Sequence, residues 1–157
     1  MKWLRAAHAQ RALPAAGPDG SPQLPAALTP LGLVSFVDEL RPHCRETLEG
    51  FRAAGISLKI ISGDNSETVY ALAKQAGLSA GATLVSGLEL AELTEAEFER
   101  TVAQATVFGR ITPHQKERIV EALVRQGNYV AMIGDGVNDV LSLKKAHLGI
   151  AMQSGSP

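Results

Sequence analysis

From Leu31 onward the chain alternates short apolar runs with amphipathic helical patterns, and this alternation restricts its possible folds more than any other feature. "LGLVSFV" (31–37), "SLKII" (57–61), "TVFGR" (106–110), "YVAMI" (129–133) and "LGIAM" (148–152) read as strands, and "ATLVSG" (82–87) as a shorter one. Pro42 sits early in a helix that carries Cys44, Leu48 and Phe51 on one face and closes at Gly55. A second helix follows "SGDNSE" and ends near Gly77, and "TEAE" (94–97) has capping-box spacing for another. "TPHQKERIVEALVRQG" is the clearest helix, with Thr112 as cap, Pro113 first, Gln115 at the third position and Gly127 as the stop. Strands and helices in this order predict an α/β fold, a Rossmann-type and mainly parallel sheet with helices on both faces.

The segment ahead of this pattern is different. Residues 14–30 hold five of the eight prolines and read as a loop or linker, and Met1 to Leu13 fits one short helix or strand. A net charge of −1 argues against a nucleic-acid partner, which calls for a basic footprint. No apolar run approaches the roughly 18 residues that cross a bilayer. The N-terminus lacks the apolar stretch of a signal peptide. A lone cysteine, Cys44, excludes a disulfide framework and fits a reducing, cytosolic setting. Its place on an apolar helix face predicts burial. His8, His43, His114 and His147 lack metal-ligand spacing, Trp3 and Phe98 read as packing residues, and "ELAELTEAEFER" reads as a solvated helix face.

In a sheet of this kind ligands bind at the carboxyl ends of the strands. Three polar loops fall there: Ser62-Gly63-Asp64, Arg110 through Lys116, and Gly134 through Asp139. Mg²⁺ prefers hard oxygen ligands and keeps several waters, so Asp135 and Asp139, with Asn138 as a neutral partner, suffice to hold it. The competing reading is a plain Gly/Asn/Asp turn. An EF-hand fails at Val137, a dinucleotide loop fails at Asp139, and no stretch fits the Walker phosphate loop. Ser62 offers a hydroxyl, and the following helix start offers N–H groups, to a phosphate; a simple turn explains Ser62 equally well. Lys116 is placed to clamp the same phosphate, against the plainer reading of a solvated helix lysine.

The ordered string "ISGDN…VFGRITPHQK…MIGDGVND" resembles the phosphorylation domain of P-type cation-transporting ATPases, members of the haloacid dehalogenase superfamily. "DELRP" (38–42) is similar to the Asp-Pro-x-Arg motif of those pumps, with Glu39 in place of the proline, and the likeness runs from about Leu31 to the end. The resemblance implies that Asp135 is the main Mg²⁺ ligand, supported by Asp139 and Asn138. It implies that Ser62 replaces the threonine bonded to the transferred phosphoryl group, that Gly63 and Asp64 shape that loop, and that Lys116 neutralises charge. Asp38, Arg41 and Arg110 would face ATP and the hinge to a neighbouring domain. Phosphoryl transfer needs mainly positioning and charge neutralisation, which this set supplies.

The nucleophile of such pumps is the aspartate of a DKTGT motif, and none of the five aspartates here (Asp19, Asp38, Asp64, Asp135, Asp139) is followed by Lys-Thr-Gly-Thr. The resemblance therefore implies a fragment. Residues 1–30 would be the tail of a nucleotide-binding domain and its return linker, and residues 31–157 the later part of the phosphorylation domain, cut after "LGIAM". Such a piece belongs to the cytoplasmic side of a bacterial plasma-membrane pump, with ATP, a cation and the other pump domains as partners. Its sheet is expected to be interrupted between the strands ending at Ile61 and Ile133, and an open edge invites self-association. "VLSL" after Asp139, where many pumps have Ala-Pro-Ala-Leu, points to a bacterial branch and to calcium or magnesium as cargo. The fragment would be inactive alone. Two other readings are a free-standing phosphatase of the superfamily and a non-enzymatic binding module that keeps the fold.

Overall fold

Val107, Phe108 and Gly109 are all buried, and the larger part of the chain is arranged about the strand they form. The structure, a computed structural model, describes residues 2–4, 34–36, 39–78, 81–135 and 137–152. The chain divides into two compact units, Met1–Glu39 and Leu40–Pro157.

In the first unit β1 (Lys2–Leu4) pairs antiparallel with β2 (Val34–Phe36), with Trp3 opposite Ser35. The sequence pattern places 31–37 at the head of the parallel sheet instead. A Val-Ser-Phe run suits either ladder, and the choice was made by a segment some thirty residues earlier. The proline-rich residues 14–30 lie outside the described residues.

In the second unit β3 (Ile60–Ile61), β4 (Leu84–Ser86) and β5 (Val107–Gly109) form a parallel sheet in the order β3-β5-β4. Successive strand residues point to opposite faces, so Val107 and Phe108 enter different cores. Val107 joins Val69 and Ala73 of α2 (Ser66–Gln75), with Leu48 of α1 (Cys44–Ala53) packed alongside. Phe108 joins Phe98 and Val102 of α4 (Glu95–Gln104) and Ile119 and Ala122 of α5 (Pro113–Arg125). Helices thus cover both faces here, as the alternation predicts.

The second pair of strands is built differently. β6 (Ala131–Gly134) and β7 (Leu148–Ala151) form their own parallel pair, linked through a 3₁₀ turn (Val137–Asp139) and α6 (Val140–Lys145). Met132 is buried, and a Cβ on its partner Gly149 would lie 2.9 Å from the Leu143 carbonyl oxygen, so that face is covered by α6. The opposite face is apolar and open: Ile133 is 52% exposed and Leu148 48%. Among the described residues no strand joins β3 to β6, so the ladder is interrupted where the sequence places the break.

Helix ends follow the caps. Thr112 Oγ1 accepts from the Gln115 N–H (3.2 Å), Gln115 Oε1 accepts from the Thr112 N–H (3.0 Å), and Pro113 opens α5. Thr94 and Glu97 make the same box for α4. The short α3 (Gly87–Ala91), which the sequence pattern does not separate from the helix that follows, is capped reciprocally by Ser86 and Glu89. α1 begins later than predicted: Pro42 lies in a turn, His43 caps the helix with φ 63°, and Cys44 is its first residue. No residue of α1 is fully buried, and Cys44 is half-buried where burial was expected. Lys59, just ahead of β3, donates from Nζ to the carbonyls of Val102 (2.8 Å), Ala103 (3.0 Å) and Ala105 (2.6 Å) at the end of α4. Partial burial pushes its pKa down.

Candidate functional site

The loop after β3 is stitched to the loop after β5. The Ser62 N–H donates to the Phe108 carbonyl (2.9 Å), the Ile111 N–H to the Ser62 carbonyl (3.0 Å), and the Arg110 N–H to the Asp64 carbonyl (2.8 Å). Gly109 permits this approach, because a Cβ there would overlap the backbone of Ser66 at the start of α2. Ser62 Oγ accepts from the Asp64 N–H at 3.1 Å, an ST-turn that leaves its own proton to donate. At the α2 N-terminus Asn65 Oδ1 accepts from the N–H groups of Glu67 (2.9 Å) and Thr68 (3.4 Å). Three of the N–H groups expected to seat a phosphate are therefore engaged within the loop, while the Ser62 hydroxyl retains its donor.

Beside these loops lies an open cleft of about 520 Å³ lined by Gly63, Asp64, Asn65, Leu88, Arg110, Ile111 and Thr112. Arg110 holds φ at 53°, a left-handed conformation unusual for a residue with a Cβ. Its side chain is exposed, and its guanidinium makes no hydrogen bond or ion pair to another described residue.

The loop after β6 is the second part of the site. Asp139 folds back against the strand end, and a Cβ on Gly134 would come 2.5 Å from the Asp139 Cβ. The Asp139 side chain is 7% exposed and that of Lys116 13%, and Lys116 Nζ meets Asp139 Oδ1 at 2.6 Å. The Asp139 carbonyl accepts from the hydroxyl of Ser142, which is fully buried. Asp135 and Asn138 are exposed, and Asp135 carries no hydrogen bond or ion pair to another described residue. The donor set suits a hard divalent cation: one open carboxylate, a neighbouring amide, and a buried carboxylate already neutralised by an ammonium. Among the described residues no three His, Cys, Asp or Glu side chains converge as a group that could hold a metal ion.

The fold thus gathers Gly63, Asp64 and Arg110 at one cleft and joins Lys116 to Asp139. Arg41 precedes α1, its carbonyl accepting from the Cys44 N–H at 3.1 Å, and does not line the cleft. Asp38 lies outside the described residues.

Residues 1–147 match the haloacid dehalogenase-like hydrolases. The chain belongs to that family. Within it, the chain matches P-type cation-transporting ATPases. The calcium-transporting ATPase CtpE of Mycobacterium tuberculosis is 46% identical over 86% of this chain and 17% of its own length. The probable cation-transporting ATPase exp7 of Streptococcus pneumoniae is 39% identical over 87% of this chain and 17% of its own. A solved catalytic domain of the CPx-ATPase CopB-B, described for its conformational changes upon nucleotide binding, superposes with a TM-score of 0.54 at 30% identity, covering 77% of this chain and 38% of that one. The chain therefore spans about a sixth of the length of these curated relatives.

For this haloacid dehalogenase-like domain the sequence reading missed three supporting residues. Ser142 carried a signal, a hydroxyl three residues past Asp139 in an otherwise apolar turn. Gly109 and Gly87 carried none, because the backbone they admit comes from distant elements.

Proposed function

We propose that this chain is the later part of the phosphorylation domain of an ATP-driven cation pump, one that works through an aspartyl-phosphate formed on an aspartate outside the sequence in hand. The observation that carries the reading is the buried Lys116–Asp139 pair beside the open Asp135 carboxylate, at the end of a strand whose second edge has no described partner. Asp135, with Asn138 and Asp139, would hold Mg²⁺, which when bound would offset charge on a phosphoryl group. The Ser62 hydroxyl would donate to that group, Gly63 and Asp64 would hold the loop, and the Lys116 ammonium would shift from Asp139 toward the added negative charge. Arg110, Arg41 and Asp38 would face the nucleotide. Residues 1–30 would be the tail of the nucleotide-binding domain, and the pairing of β2 with β1 supports extending that unit to Glu39.

The likeness to CtpE supports calcium as the cargo of the whole pump, in keeping with the calcium-or-magnesium expectation. The other pump domains, including membrane helices, would complete the protein, with this domain on the cytoplasmic side of a bacterial membrane; among the described residues no helix is long and apolar enough to cross one. Alone, the chain would release no phosphate and would self-associate through the open edge of β6.

The test is Mg²⁺-dependent phosphate release from ATP and from a small aryl phosphate, with Asp135→Ala as control. No release from either protein is expected. Release that Asp135→Ala abolishes would put a nucleophile inside this chain and favour a free-standing phosphatase.

A further inference from the structure

We propose that Gly87 and Gln115 are positioning residues for Arg110: they lock its backbone in the left-handed conformation that presents its guanidinium to the cleft. The inference rests on the reading of that cleft as the nucleotide's approach.

Left-handed backbone is unfavourable for a residue with a Cβ, and glycine would fill the position without strain. An arginine kept there is held by its surroundings, and such strain collects at functional sites. Three contacts fix it. The Arg110 N–H donates to the Asp64 carbonyl (2.8 Å), and the following N–H, of Ile111, donates to the Ser62 carbonyl (3.0 Å). The Arg110 carbonyl oxygen lies against Gly87, where any Cβ would overlap it. Gly87 is itself pinned, because Gln115 Nε2 donates to its carbonyl at 2.7 Å. Gln115 performs two tasks with two different atoms: Oε1 caps α5 through Thr112, and Nε2 holds Gly87. The clamp thus runs from the first turn of α5 through the start of α3 to Arg110, the cation of a cleft that also carries the Asp64 carboxylate.

The separation of those atoms gives a clean test. Gln115→Glu keeps the capping oxygen and removes the donor to Gly87. Affinity for a non-hydrolysable ATP analogue would be measured by calorimetry for the full chain, for Gly87→Ala, Gln115→Glu and Arg110→Gln, and for each of the first two combined with Arg110→Gln. If the clamp acts through Arg110, Gly87→Ala weakens binding about tenfold and Gln115→Glu a few-fold, and both losses vanish in the Arg110→Gln background. A purely structural role would cost the same in both backgrounds, and that result would overturn the inference. If Gly87→Ala fails to fold, Gln115→Glu decides alone. Arg110→Gln without effect would remove the cleft reading itself. Arg110→Gln weakened with Gln115→Glu unchanged would remove only the clamp.

Discussion

Lys116 and Asp139 lie 23 residues apart in sequence and meet at 2.6 Å in a nearly dry setting. Breaking such a pair leaves one buried charge without compensation, whereas replacing both members with apolar groups removes the problem. Lys116→Met is therefore expected to lower unfolding free energy by about 3–5 kcal/mol, and Lys116→Met combined with Asp139→Leu to recover most of that loss. Urea denaturation at neutral pH reads both, and an unchanged midpoint for Lys116→Met would mean the pair carries no stability. The sequence marks each residue separately, Lys116 as a phosphate clamp and Asp139 as a carboxylate ligand for Mg²⁺. Their meeting was not legible, since it depends on Gly134 lacking a side chain and on α5 docking beside the 3₁₀ turn.

The helices are where the sequence speaks most plainly. α5 was readable from Thr112, Pro113 and Gln115, because caps act within four residues and need no distant partner. The same Ser-x-x-Glu signal is present for α3, but it straddles the end of the strand pattern 82–87 and the start of the helix face 89–100, so a separate short helix is not marked. β2 was placed in the wrong ladder for the opposite reason, as its partner is set by chain topology. The caps also make a prediction about acid. The Ser86 N–H and then its hydroxyl hold Glu89 below the ordinary carboxylate range, and the Thr94 hydroxyl and then its N–H do so for Glu97. A depressed folded value means a stabilising contribution that is present above the unfolded value of about 4.3 and lost as pH falls through the folded one. The thermal midpoint should therefore fall as pH drops from about 5 to about 3, and Glu89→Gln with Glu97→Gln should flatten that decline. An identical slope in the double variant would show that the loss arises elsewhere.

At the scale of the molecule, the parallel α/β architecture and the interrupted ladder were both legible, since strand–helix alternation and a missing motif are properties of the whole sequence. The uncovered face of β6 and β7 was not, because the sequence pattern alone suggested helices on both sides. A two-stranded pair with one open apolar face is marginal and adhesive. Ile133→Lys should accordingly lower the sedimentation-average mass of the chain at high concentration, and an unchanged mass would free that face from any part in association. The two halves of the site are joined by less than the fold suggests. Gln115 reaches Gly87, and through it Arg110, while the next residue, Lys116, reaches Asp139. These side chains leave one helical turn about 100° apart. That turn is a crank with two pins: were a ligand at one end to rotate α5, the other end would move with it, and each ligand would change the other's affinity by the same factor.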